Sequence, residues 1–496
     1  MKLRTLVLPA AGALLLAACA NIDGLLPRAH PSDPNRLQAS RTLDRAAARS
    51  APWPTADWWK AYGDAQFDAL INEAFAGSPT LWVARARLEQ TMALAGIVQS
   101  ARAPAVSGNG EVVDQRFTQN GLYPRPLAGT YRSTGRLAFD LGYELDFWGK
   151  NKAALEAALS KVKAAEVDQY AARLLLSVAI AHAYIELDHQ FGRLDIAQAS
   201  LQSRREILKL TESRVHAGLE SEVELKQAAA AVPAAQTEIS AAQERASLLR
   251  NQLAALLGQG PDRGLKIARP RLQSKLILAL PAKLPADLIG RRPEIVAERW
   301  RIEAASKEIN VAKAQFYPNV NLIAFVGLQS VGLSELVKAG SRMVGIGPAI
   351  HLPLFDGGRL RSNLALRNAD YDLAVEQYNT AIVNATRDVA DQLTSWRAIE
   401  DEQSHQSAAQ ANIEDAYHLA LLRYRAGLSN YLTVLTAESQ VLIQRRLAAD
   451  LRARKFDVSV ALVRALGGGY GPASKSRISG NDSAAVLAAA NRQDLH

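Results

Sequence analysis

Between Leu137 and Phe147 every second residue is apolar or aromatic. Leu137, Phe139, Leu141, Tyr143, Leu145 and Phe147 alternate with Arg136, Ala138, Asp140, Gly142, Glu144 and Asp146. A period of two places the first set on one face of an extended strand. Two further stretches share the pattern at their even positions: Val320, Leu322, Ala324, Val326 and Leu328, then Val344, Ile346, Pro348, Ile350, Leu352 and Leu354. A fourth stretch, 105–117, is weak, with Ser107, Asn109 and Glu111 on one face and Asp114 and Arg116 on the other. The predicted strands are 104–118, 132–147, 318–331 and 341–354, arranged as two hairpins. Their connections, "TQNGLYPRPLAGTYRS" and "SVGLSELVKAGS", carry the Gly, Pro, Asn and Ser of turns. Strands of this length with one apolar face suit a bilayer crossing, and they equally suit a soluble sheet packed on helices.

The rest of the pattern is helical, rich in Ala, Leu, Gln, Glu and Arg and nearly free of Gly and Pro. Helical stretches are expected over 64–102, 149–191 and 194–257, and again over 286–316, 357–401 and 404–466, with Pro233 bending or breaking its helix. A 40-residue helix is about 60 Å long, more than a compact globule needs. Leu155, Val162, Leu176 and Ala183 share one heptad position, interrupted by Gln169. So imperfect and alanine-rich a seam suits close packing in a cylinder or in an ordinary long-helix bundle better than a two-stranded zipper.

The chain is also written twice. "GSPTLWVARARLE" at 77–89 matches "RRPEIVAERWRIE" at 291–303, and Pro104 matches Pro318, both at a spacing of 214. "DFWGK" at 146–150 matches "LFDGG" at 354–358 at a spacing of 208. "RVHAGL" at 214–219 matches "RYRAGL" at 423–428, and "ALLG" at 255–258 matches "RALG" at 464–467, both 209 apart. Nearly constant offsets indicate one duplication with small insertions, hence two similar structural units.

At the start of the chain, Lys2 and Arg4 precede an apolar run from Leu6 to Leu16, too short to span a bilayer as a mature helix. Leu16-Ala17-Ala18-Cys19 then resembles a bacterial lipobox, in which 1–18 are removed and Cys19 carries the fatty acyl chains, palmitate among them. A plain signal peptide beside a chance cysteine is the alternative. Ala20, rather than an aspartate, favours sorting to the outer membrane. Loss of Lys2 and Arg4 lowers the formal charge from +9 to +7. That charge is dispersed and aromatic residues are few, so no nucleic-acid partner is expected. HExxH, GxSxG and phosphate-loop motifs are absent, and His182 and His189 flank Asp188 without completing a metal set. Neither catalysis, a cofactor nor a metal is expected.

Four strands cannot close a barrel, and lipid does not tolerate open sheet edges. Either the strands lie outside the membrane, or several copies share one barrel. No other segment after residue 19 is expected to be apolar enough to span as a helix. At this point the chain resembles the TolC/OprM-like outer-membrane factors, of the NodT type. The stretches that carry the likeness are "WWKAYGDAQFDALINEA", "YELDFWGK", "LPADLIGRRPEIVAERWRIEAASKEINVAKAQFYPNVNL", "LPLFDGGRLRSN", "RYRAGLSNYLTVL" and "RALGGGY", in that order.

The resemblance implies a mainly α fold with a membrane β-barrel portion. Each protomer of a homotrimer gives four strands to a twelve-stranded barrel, long helices form a periplasmic α-barrel, and a small mixed domain girdles it. The expected parts are 19–62, the anchor and first equatorial segment; 63–258, the first repeat; 259–285, the equatorial link; 286–466, the second repeat; and 467–496, the last equatorial segment and tail.

The implied function is an outer-membrane exit duct of a tripartite efflux pump. Its partners are a periplasmic membrane-fusion (adaptor) protein, an inner-membrane transporter of RND or MFS type, and outer-membrane lipids. The turns "RVHAGLES" and "RYRAGLSN" place Gly218 and Gly427 between long helices, with Ser221 and Ser429 as N-caps. By resemblance, Ala217, Gly218, Leu219, Ala426, Gly427 and Leu428 dock the adaptor; a turn with no partner is the plainer reading. Leu432 falls at an apolar constriction, and Thr436 falls where many relatives carry an aspartate. Arg423, Tyr424 and Arg425 are a tip network, with Glu220, Glu222 and Glu224 as partners. A duct for secreted proteins, or a periplasmic structural lipoprotein that is no channel, are the competing readings.

Overall fold

The computed structural model describes residues 24–33, 37, 52–273 and 290–471. Cys19, the 274–289 part of the link and the tail beyond 471 lie outside them. The elements are α1 (Ala65–Gly77), α2 (Pro79–Ser100), β1 (Ala105–Arg116), β2 (Tyr131–Leu145), α3 (Lys150–His216), α4 (Glu222–Leu256), α5 (Pro261–Leu265), α6 (Pro293–Ala314), β3 (Asn319–Val331), β4 (Arg342–His351), α7 (Arg359–Arg425) and α8 (Tyr431–Ala465). The duplication is visible in their lengths. α2 and α6 each have 22 residues, α3 and α7 each 67, and α4 and α8 each 35. At 1.5 Å per residue, α3 and α7 are each about 100 Å long.

Three expectations about the helices are corrected. α3 is unbroken through Gly192, and α7 through 402–403. One helical glycine costs only about 1 kcal/mol, and buried Leu187 and Ala197 hold α3 on either side of it. α4 likewise continues through Pro233, flanked by fully buried Ala228 and Ala235. The third correction is that α3 does contain a window apolar enough, by length and composition, to cross a membrane. That apolarity is spent on packing, since Leu174, Leu176, Val178, Ile180, Tyr184 and Leu187 are buried in a core.

Two compact units follow from the contacts. The first is built on Arg87–Glu166, Ala297–Asn379 and the N-terminal segment. It holds one antiparallel sheet in the order β1-β2-β3-β4. The β2–β3 pairing, with Leu137 opposite Leu328 and Leu145 opposite Val320, joins a hairpin of the first repeat to one of the second. The register sets the odd apolar residues of β2 beside the even ones of β3 and β4, as in Phe139, Val326 and Val344. On β1 the same face carries Val106, Gly108, Gly110 and Val112. The Phe139 ring and the Leu137 methyl lie over the two glycines, where a Cβ would meet them at 3.5 and 3.6 Å. Below the sheet, Ile309, Ala312, Phe316, Leu360 and Leu364 form a core to which Leu25 adds. The backbone N–H groups of Arg28 and Ala29 donate to Asp372 at 2.8 and 2.9 Å.

The second unit draws on 52–86, Val167–Val296 and the chain from Thr380 onward. Its main core combines Trp58, Trp59 and Tyr62 with α1, the middle of α3, the end of α4, Ile267, Leu272 and Phe456. Asp64 caps α1 and also accepts from Tyr184 Oη at 2.8 Å and Arg271 N at 2.6 Å. Gln273 N donates to Tyr62 O at 3.0 Å. Sequence-distant pieces from before the first repeat and after it therefore share one core.

Candidate functional site: the paired helix turns

The two turns form because each long helix ends in the same way. Gly218 (φ 74°) and Gly427 (φ 76°) adopt the left-handed conformation that glycine allows without a Cβ clash. Gly218 N bonds Val215 O at 2.9 Å and Leu219 N bonds Arg214 O at 2.9 Å. Gly427 N and Leu428 N repeat this to Tyr424 O and Arg423 O at 3.0 and 2.8 Å. These are two Schellman motifs. The next helix is capped by Ser221 in a capping box with Glu224 on one side, and by Asn430 accepting from Thr433 N at 3.2 Å on the other. Asn430 replaces the expected Ser429, since it is Asn430 that stands 209 residues after Ser221.

Both turns lie together. Arg214 at the end of α3 donates to Tyr424 O at 3.2 Å, and its guanidinium sits 4.8 Å from the Tyr424 ring centre. Tyr424 is fully buried and its hydroxyl contacts Thr211 Oγ1 at 2.9 Å and donates to Glu220 at 2.8 Å. Burial is the main cause that pushes the Tyr424 hydroxyl up to about 12, and Glu220 adds to it, so near neutral pH the group is a donor. The Glu220 side chain, 6% exposed, lies 3.3 Å from Arg214 Nε, in ion-pair range though not aligned as a hydrogen bond. Beneath the turns Ile207, Ala228, Tyr424, Tyr431 and Val434 form a small core. Glu438 is buried beside Arg204 Nε at 3.3 Å, and desolvation raises its pKa against the pull of Arg204.

Of the predicted network, Tyr424 is at its centre, whereas Arg423 and Arg425 are exposed and make no ion pair among the described residues. Glu220 finds its cation in Arg214 instead, and Glu224 serves the cap. Arg214 was readable, because it occupies the same repeat position as Arg423. Ala217, Gly218, Leu219, Ala426, Gly427 and Leu428 are all exposed, Leu219 at 65% and Leu428 at 70%. Leu432 is 57% exposed on the face of α8 away from Tyr431 and Val434. Thr436 is exposed one turn further and donates to Leu432 O at 2.9 Å. His182 and His189 serve separate pairs, with Asp457 and Asp450, each at 2.7 Å.

Comparison with known proteins adds a second line. A family described as "Outer membrane efflux protein" matches residues 70–259 and 284–468. The fusaric acid resistance protein FusA of Burkholderia cepacia is 40% identical over 361 residues, 72% of this chain and 68% of that protein. The multidrug resistance outer membrane protein MdtP of Escherichia coli K12 is 32% identical over 429 residues, 85% and 88% of the two chains. Among solved structures, the outer membrane protein VceC of Vibrio cholerae aligns with a TM-score of 0.79 at 39% identity, over 84% of this chain and all of that one.

Proposed function

We propose, on the premise that this chain belongs to the outer membrane efflux protein family, that three copies form the exit duct of a tripartite efflux pump. The protein is located in the outer membrane with a periplasmic extension. The observation that carries the trimer is the sheet. Val344 and Ile346 of β4 and Phe139 of β2 point an exposed apolar face outward, and among the described residues β1 and β4 are each paired along one edge only. Lipid accepts the apolar face but not the free edges. Four strands are too few to close, and three sheets joined edge to edge give a closed twelve-stranded barrel.

The helices continue the passage into the periplasm, and transport through it is passive. Energy comes from an inner-membrane transporter of RND or MFS type, coupled through an adaptor that meets Ala217, Gly218, Leu219, Ala426, Gly427 and Leu428. Two exposed leucines at the turns, supported by a capped and ion-paired base, suit such an apolar contact. Leu432 and Thr436 line the constriction, and Arg423 and Arg425 reach neighbouring copies. Cys19 carries the lipid anchor. The resistance named in the relatives' titles supports small-molecule cargo.

The test is reconstitution. The detergent-extracted protein is expected to have a trimer mass and to conduct ions in a planar bilayer, and a deletion strain is expected to be hypersensitive to at least one toxic compound. A non-conducting monomer ends the duct reading. A conducting trimer without any change in susceptibility ends only the efflux assignment.

A further inference from the structure

The chain passes between helix and sheet four times, and three of the passages repeat one order of side chains. Reading from strand to helix, β2 ends at Leu145 and is followed by Phe147 and Trp148 and then by Lys150 and Lys152. β4 is followed by Leu354, Phe355 and then Arg359 and Arg361. Read backward, β3 is preceded by Tyr317 and then Lys313, whereas β1 is preceded by Pro104 and Arg102 with no aromatic residue. Apolar band, then a ring, then a cation is the order a bilayer imposes from its interior to its charged surface.

At one of these passages the groups make a site. Trp148 and Tyr317 stack with centres 4.6 Å apart and planes at 17°, and Trp148 Nε1 donates to Pro318 O at 2.8 Å, which fixes the indole. Both rings remain partly exposed, Trp148 at 51% and Tyr317 at 41%. Beneath them an open cleft of about 600 Å3 is lined by Trp148, Lys152, Glu156, Lys307, Lys313 and Tyr317, among others. Lys307 is held by Glu156 at 3.0 Å and Glu303 at 3.5 Å. Lys152 and Lys313 make no ion pair among the described residues. The cleft thus places two ammonium groups that form no ion pair among the described residues beside the stacked Trp148 and Tyr317 rings.

We infer that this cleft binds the phosphate of an anionic phospholipid headgroup in the periplasm-facing leaflet, with the acyl chains lying along the rings and the sheet. The inference rests on the membrane-spanning reading of the sheet. Its consequence is a fixed depth: the lysines set how far the sheet sinks, and the lipid cements sheet to helix at the point where the backbone changes direction.

Native mass spectrometry of the intact, detergent-solubilised protein, titrated separately with phosphatidylglycerol and phosphatidylcholine, tests it. The wild type should retain phosphatidylglycerol preferentially. Lys152→Gln combined with Lys313→Gln should reduce that preference about tenfold or more, as expected for two cations at an anionic surface. Each single variant should give an intermediate loss and remains informative if the double variant fails to assemble. An unchanged preference in the variants, or no preference in the wild type, overturns the proposal. So does inorganic phosphate that saturates the site while the lipids do not compete, since the ligand would then be a soluble anion. Planar-bilayer conductance of the same samples separates the two readings. Conductance without lipid preference removes the headgroup site and leaves the duct, whereas lipid preference without conductance removes the duct and leaves the site.

Discussion

Glu220 shows how much depends on a single donor. Its carboxylate is nearly dry; one oxygen accepts from Tyr424 Oη, and the other faces Arg214 Nε at 3.3 Å without a hydrogen bond. Tyr424→Phe removes the donor and leaves the charge buried, so we expect a loss of about 1–3 kcal/mol, read as a lower melting temperature of the solubilised protein. Arg425 is different, because it makes no ion pair among the described residues. If it ties copies together at the tip, Arg425→Ala raises open-state conductance in a planar bilayer while leaving the melting temperature within error. An unchanged current removes that role. His189 gives the pH-dependent case. Hydrogen bonding to Glu186 is the main cause that raises its pKa above the usual 6.5, with Asp450 adding to it, while Glu186 is held below its usual 4.5, chiefly by His189. The histidine's contribution is complete below 6.5 and fades as pH rises through its raised value. The glutamate's is present above 4.5 and fades as pH falls through its lowered value. The stability difference between wild type and His189→Gln is therefore expected to peak at about pH 4.5–6.5 and to shrink in alkaline buffer.

At the scale of elements, the strands with alternating side chains were legible and the glycine-bearing one was not. β1 looked patternless because Gly108 and Gly110 occupy its apolar face and contribute no hydrophobic signal. Their neighbours' side chains fill the space instead. Gly327 is the stricter case. A Cβ there would sit 2.3 Å from Leu137 O and 2.6 Å from Ala138 Cα, both backbone. Gly327→Ala should therefore separate β2 from β3, and a lower yield of folded, membrane-inserted protein on a heat-modifiability gel is the expected readout. The helix ends were legible where a glycine was required at positive φ, as at Gly218 and Gly427. Gly192, by contrast, suggested a break that burial on either side overrides. Ser429 suggested a cap, yet the cap is Asn430, whose side chain reaches the third residue of the helix.

At the scale of the whole molecule, a constriction at Leu432 and Thr436, as proposed, would decide what passes. Thr436 donates its hydroxyl to its own helix, leaving only oxygen lone pairs toward solvent. A ring of such groups holds cations weakly compared with carboxylates. Thr436→Asp should therefore shift the reversal potential in a KCl gradient toward cation selectivity, and an unchanged potential would place Thr436 away from the narrowest point. The duplication bears on the same question. α3 and α7 have equal length, and the first repeat carries Val223 and Gln227 at the positions of Leu432 and Thr436, so the two helix pairs differ in side chain just beyond their turns.

The sequence by itself determined the duplication, the apolar faces of β2, β3 and β4, the glycine turns and the family, because periodicity, repeat spacing and positive-φ glycines are local properties. Only the tertiary structure decided that β2 pairs with β3, that Arg214 rather than Arg425 faces Glu220, and that Trp148 and Tyr317 stack at a cleft lined by lysines. Those contacts join residues as far apart as Thr134 and Val331, and a one-dimensional pattern fixes which face a side chain occupies but not which distant side chain it meets.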